Sequence, residues 1–203
     1  MTDRPTQGPI AMLADDIASR RRNELLEAAF SLIAEKGLEG LRTRDVAQRA
    51  GVNISTLFYY FGSKDALVAA LVGHIRDIFT AASGSGSPAY TDLRSHLANA
   101  WARFQSNPGL ATALQELMLR SSRDEVIRSA LDRVLQHWSE TVAGLVRQDA
   151  NNGQLETNLD PVRTAALVTS FVIGATLRLN VNPTAFSFGD VSDELQNLLK
   201  AAS

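Results

Sequence analysis

The chain has 203 residues, 45% of them hydrophobic and 21% charged, with a net charge of −2. That composition suits one well-buried core, or a small module beside a larger one, and excludes disordered, collagen-like and low-complexity chains. It contains no cysteine, which removes disulfides, thiolate zinc sites, iron–sulfur clusters and cysteine nucleophiles. Its three histidines lie far apart, and no HExxH, Walker, Gly-x-Gly-x-x-Gly or Gly-x-Ser-x-Gly sequence occurs, so neither a metal nor a cofactor is expected. The N-terminus has acids and no long apolar core, and no apolar run nears the ~20 residues of a membrane span, which reads as a cytoplasmic protein.

Residues 1–18 lack periodicity and contain Pro5, Gly8 and Pro9, and are expected to form a disordered tail. Arg20-Arg21-Arg22 precede the first helix, either as an arm for phosphate or as a solvated charge run. Leu25, Ala29 and Ile33 then mark a helix that Gly37 ends. Thr43 is expected to cap a short helix carrying Val46, Ala47 and Ala50, closed by Gly51. A second short helix follows from Ile54 to Phe61. Ser63 caps a longer one with Leu67, Leu71, Ile75 and Ile78 on one face, and Ser83 to Pro88 reads as a linker.

Behind the linker every signal is helical. One helix spans about Thr91 to Gln105, and Asn107-Pro108 opens another. Ser122-Arg123-Asp124-Glu125 reads as a capping box for a helix of roughly 28 residues, ~42 Å long, ending at Gly153. Asp160-Pro161 opens a helix ending near Asn180 to Pro183, and Val191, Leu195, Leu198 and Leu199 mark the last. The expected class is all-α.

The segment from Thr43 to Phe61 has the layout of a helix-turn-helix, whose second helix enters the major groove of DNA. Arg42, Thr43 and Arg44 at its start, and Asn53, Ser55 and Thr56 on the leading edge of the second helix, suit phosphates and base edges. Tyr59 and Tyr60 offer hydroxyls, and Lys64 adds charge at the next helix N-terminus. Phe58 and Phe61 are expected in the core. Both tyrosines cannot be, because adjacent helical residues point about 100° apart. From Arg20 to Lys64 there are eight basic and five acidic residues, and from Asp65 onward eleven and fourteen, a basic front and an acidic rear.

These residues carry a resemblance. Ala34-Glu35-Lys36-Gly37, Thr43, Val46-Ala47, Ala50-Gly51-Val52, Leu57-Phe58-Tyr59-Tyr60-Phe61 and Ser63-Lys64-Asp65-Ala66-Leu67 resemble the DNA-binding domain of TetR-family transcriptional regulators. The resemblance implies a homodimeric, all-α, ligand-responsive bacterial regulator, usually a repressor, on a palindromic operator. On that reading residues 19–66 are the DNA-binding domain and 67–203 the effector-binding and dimerisation domain. Tyr60, where many members carry histidine, and Ile54, at a commonly polar or small place, depart from the pattern, so no operator sequence carries over. The stretch Asp160 to Leu198 is similar to the BetI-like group of C-terminal domains, which does not establish a choline-related ligand. Arginine outnumbers lysine seventeen to three, as in GC-rich bacterial genomes.

In the rear half, Trp101, Phe104, Met118, Trp138 and Phe171 are candidate walls of an effector pocket, with Gln115, Glu116, His137 and Thr169 as polar contacts. The helix from Pro161 to Leu179 is apolar around much of its circumference, so it needs a core on one face and a partner on another. Val142 and Val146, with Ala166, Ser170, Gly174 and Leu177, are the expected dimer interface. An enzyme using Glu116, His137 and a serine finds no support in the spacing. A ligand-binding or adaptor protein that does not bind an operator is the remaining alternative, separated by salt-dependent binding to a palindromic duplex.

Overall fold

The computed structural model describes the backbone of residues 9–80, 91–107 and 109–200, with side chains for 16–79 and both later segments. All nine elements among the described residues are helices. The chain divides into two units, Met1–Leu71 and Val72–Ser203. The expected linker Ser83–Pro88, Pro108 and residues 1–8 lie outside the described residues.

Unit 1 holds α1 (Pro9–Lys36), α2 (Thr43–Arg49), α3 (Ile54–Phe61) and the first half of α4 (Lys64–Thr80). Leu25, Ala29 and Ile33, one helical turn apart, are completely buried, and α2 packs on both α1 and α3. Gly37 ends α1 with φ of 69°, a conformation only glycine adopts without strain. Position 40 needs glycine for room, since a Cβ there would meet the Lys36 carbonyl oxygen at 2.5 Å.

Unit 2 holds the rest of α4, then α5 (Leu93–Ser106), α6 (Gly109–Ser121), α7 (Glu125–Asn151), α8 (Pro161–Val181) and α9 (Phe188–Lys200). α8 lies along α7, α6 touches both, and α5 packs on α6, α7 and α9. Asp149, buried on α7, accepts the Leu93 N–H at 2.9 Å, so a carboxylate from another helix satisfies one of the orphan donors at the start of α5. Its second oxygen is buried without a partner. Burial pushes this carboxyl above its usual range, against the Leu93 hydrogen bond, which lowers it. Asp149→Ala is expected to cost about 1–3 kcal/mol by orphaning that N–H. Asp149→Asn keeps the acceptor and removes the buried charge, so its thermal midpoint at pH 7 should equal or exceed that of the parent. An Asn variant as unstable as the Ala variant would mean the charge itself is required.

Several sequence expectations are corrected. The disordered tail fails for residues 9–18, which are helical: Pro9 sits where its missing N–H costs nothing, and no glycine or proline interrupts the next 27 residues. The arginine run therefore lies inside α1, with Arg20 and Arg21 paired to Glu24. Thr43 is the first residue of α2 rather than its cap, which is Arg42, extended and making no side-chain cap bond. Asp124, not Ser122, caps α7 by accepting from the Val126 and Ile127 N–H groups, while Ser122 donates to the Leu119 carbonyl. Phe58 is 42% exposed and only Phe61 joins the core, because α3 buries positions four apart, 57 and 61. Leu198 points outward at 61% exposure. Finally, α8 is by length and composition apolar enough to cross a membrane, with a mean hydropathy of 1.4, although no apolar run of that length was expected.

Candidate functional site

The turn between α2 and α3 is built from backbone. The Val52 N–H reaches the Ala47 carbonyl at 2.9 Å and the Gly51 N–H the Gln48 carbonyl at 3.1 Å, while Gly51 supplies a φ of 66°. Leu57 and Phe61 fix one side of α3 in the core. The opposite side leaves Ser55, Phe58 and Tyr59 exposed and Thr56 and Tyr60 half-buried, with Tyr59 at 83% the most open of the large hydrophobic side chains among the described residues. Such a surface can offer hydroxyls and an aromatic face to a ligand as long as α3. Asn53 is exposed, but its Oδ1 caps α3 by accepting the Ser55 N–H at 3.1 Å, leaving only its amide NH2 for base reading. Ser63 caps α4 through the Ala66 N–H, placing half-buried Lys64 in the first turn.

Not every cation here is available. Arg49 grips Glu35 with two bonds of 2.6 and 2.7 Å, and Lys36 lies 3.6 Å from Asp45, so both brace α1 against α2. The Glu35 carboxyl is held below its usual range by the Arg49 hydrogen bond. Arg22 sits over the Phe61 ring at 5.3 Å, and Arg42 donates to the Glu39 carbonyl at 2.9 Å. Arg44 is exposed, and neither it nor Lys64 makes an ion pair among the described residues.

Unit 2 contains a cavity of about 110 Å³ between α4, α5, α6, α7 and α8, walled by Phe104, Met118 and Trp138 among others. Three of the six expected pocket residues therefore line it. The others do not. Trp101 stacks on Phe188 at 4.5 Å and 7°, and Phe171 packs on the same ring at 5.6 Å, so both serve the seat of α9. Gln115 accepts from the Asn180 amide at 3.1 Å and ties α6 to α8. Thr169 spends its hydroxyl on the Ala165 carbonyl of its own helix. Sequence reasoning missed His96, which lines the cavity and accepts from the Trp138 indole N–H at 2.9 Å. Burial lowers its pKa to about 4, so at neutral pH it is uncharged. The apolar spacing of Leu93, Leu97, Ala100 and Phe104 places His96 on the inward side of α5, which is the signal that could have found it.

Comparison with known proteins bears on this geometry. The family model described as bacterial regulatory proteins, tetR family, matches residues 25–71, the span from α1 through the helix-turn-helix into α4. The chain is 38% identical over 78 residues to the HTH-type transcriptional regulator BetI of Burkholderia cenocepacia, a match spanning 38% of this chain and 40% of that relative. Its fold over 90% of its length superposes on 99% of a putative TetR-family transcriptional regulator from Rhodococcus sp., with a TM-score of 0.72 at 27% identity. Residues 25–71 thus match the TetR family, and the alignment spans less than half the length of the curated relatives. A regulator from Saccharomonospora viridis in complex with choline shares the fold, at a TM-score of 0.70 and 20% identity over 89% of this chain and 95% of that one.

The expected interface residues separate into two groups. Val142 and Val146 are completely buried within the protomer, so they are core and not interface; the apolar pattern of α7 is consumed by α8 and α6. On α8, Thr164, Ala165, Val168, Val172 and Ala175 turn inward. Ala166, Ser170 and Leu177 are exposed and Gly174 half-buried, on a stripe that also bares Val162, Leu167 and Val181 at 66%, 65% and 81%.

Proposed function

We propose that the chain is a homodimeric DNA-binding transcriptional regulator, a repressor of a palindromic operator released by a small molecule in the cavity of unit 2. The exposed polar and aromatic side of α3, held by Leu57 and Phe61 against a glycine turn, carries this reading. Ser55, Thr56 and Tyr59 meet bases or phosphates, with Arg44, Tyr60 and Lys64 on the backbone and Arg42, Thr43 and Asn53 in supporting contacts. The DNA-binding domain covers residues 19–66 and the effector and dimerisation domain 67–203. The exposed stripe of α8 pairs with its copy about a two-fold axis, as a closed dimer requires. Because α4 carries Lys64 at one end and Ile75, Arg76 and Phe79 of the cavity wall at the other, a ligand that favours one tilt of α4 changes the fit to two half-sites one DNA turn apart. Such a protein works in the cytoplasm.

Selection from a randomised duplex pool tests the proposal, and enrichment of a palindrome is the expected result. Lys64→Ala should weaken binding to all duplexes and lower the slope of log affinity against log salt by about one. Unchanged affinity and slope in Lys64→Ala combined with Tyr59→Phe would remove α3 from the interface. Absence of salt-dependent binding to any duplex would favour the ligand-binding or adaptor alternative.

A further inference from the structure

Among the described residues the exposed aromatic side chains are Phe58 and Tyr59, neighbours on α3. Tyr59 carries a hydroxyl that can donate to a phosphate. Phe58 carries no polar atom, so a phosphate gives it nothing to bond. It stands one step round the helix from Leu57, and the packing that buries Leu57 completely leaves Phe58 42% exposed. Folding therefore leaves apolar ring surface in water, and an apolar group that covers it gains free energy.

Base edges in the major groove are read by a few pairings. Arginine or lysine grips guanine, asparagine or glutamine grips adenine with both amide atoms, and a carboxylate accepts from cytosine. α3 has none of these to offer. Its sequence, ISTLFYYF, contains no charged residue, no Asn and no Gln. The Oδ1 of its cap, Asn53, is committed to the Ser55 N–H at 3.1 Å, so a two-atom grip on adenine is closed as well. What remains is hydroxyl contact from Ser55 and Thr56, which does not discriminate strongly, and the Phe58 ring. Thymine is the one base whose major-groove edge carries an apolar group, its C5-methyl. Ser55 and Phe58 are three residues apart and so adjoin on the surface of α3, which lets a hydroxyl and a ring meet one edge together.

We infer that Phe58 reads a thymine methyl in each half-site and is the residue through which α3 selects its base sequence. This deepens the reading of α3 as the DNA-contacting helix and rests on it.

The test uses the full chain and the duplex it selects from a randomised pool. Each thymine of the selected half-site is replaced in turn by deoxyuridine, symmetrically in both half-sites. That removes the methyl and keeps the pairing edge. At one position the parent should lose about fifteenfold in affinity, from about fourfold for each methyl left uncovered. Phe58→Ala should bind the thymine duplex more weakly than the parent and should bind the thymine and deoxyuridine duplexes alike. Phe58→Leu keeps an apolar side chain and should retain part of the preference, so it carries the test if alanine lowers the thermal midpoint. The inference is overturned if the selected half-site has no thymine, if no thymine is methyl-dependent, or if Phe58→Ala keeps the parent's full preference. Failure to select any duplex would remove the DNA-binding reading, and this inference with it. Salt-dependent binding without methyl dependence would leave that reading standing and remove Phe58 alone.

Discussion

Gly174→Arg is expected to convert a dimer into a monomer without unfolding the protomer. A Cβ added at position 174 meets no atom within 4 Å, and replacing glycine in a helix interior gains roughly 1 kcal/mol of helix propensity. Within one protomer, then, the change is neutral or favourable. In a two-fold interface built on the exposed stripe of α8 the same residue appears twice, and burying an uncompensated charge costs about 3–5 kcal/mol. Each 1.4 kcal/mol is about tenfold in affinity, so self-association should weaken by at least about a hundredfold. Sedimentation velocity at micromolar protein reads the change, and operator affinity should fall with it. A variant that still sediments as the unmodified dimer would show that this face of α8 is not the contact. A monomeric parent protein would remove the dimer altogether.

Acid should destabilise the protein through His96. Its folded value is about 4 against an ordinary 6.5, because burial opposes the charged ring. As pH falls, the unfolded chain binds the proton first. The stabilising contribution is therefore complete above about pH 6.5, declines below it, and is gone near pH 4, where both states are protonated. At about 1.4 kcal/mol per pH unit, the loss across this window is about 3 kcal/mol. Asp149 acts in the opposite sense, since its carboxyl is raised by burial and the folded state takes up that proton first on acidification. His96→Gln keeps an acceptor for the Trp138 indole and removes the ionisable ring. Urea melts between pH 7 and 4 should show a steep decline in the parent and a much shallower one in the variant. Equal slopes would mean that His96 charges freely in the folded protein.

The helix-turn-helix was legible because its determinants are local. Gly51 marks the turn, and Leu57 with Phe61 marks the buried side of α3, all within eleven residues of sequence. The same periodicity misled at Phe58, where an eight-residue helix packed on one side has no core left to give it. In the rear half, side-chain type identified helices but not neighbours. Val142 and Val146 differ in no sequence property from interface residues, and only the packing of α8 along α7 makes them core. Trp101 and Phe171 were equally good cavity walls until Phe188, far along the chain, took both rings. The pairing of His96 with Trp138 spans 42 residues, and no local spacing announces it.

That distance also sets an order of events. The Leu93–Asp149 and His96–Trp138 bonds join positions 56 and 42 residues apart, whereas the Glu35–Arg49 brace of unit 1 spans 14. Closing a longer loop costs more chain entropy before any contact rewards it, and chains rich in nearby contacts fold faster. Synthesis proceeds from the N-terminus at roughly 5–20 residues per second, so residue 149 emerges several seconds after unit 1 has all its contacts in hand. The front unit is the earlier to form on a growing chain, and the cavity is among the last features to close.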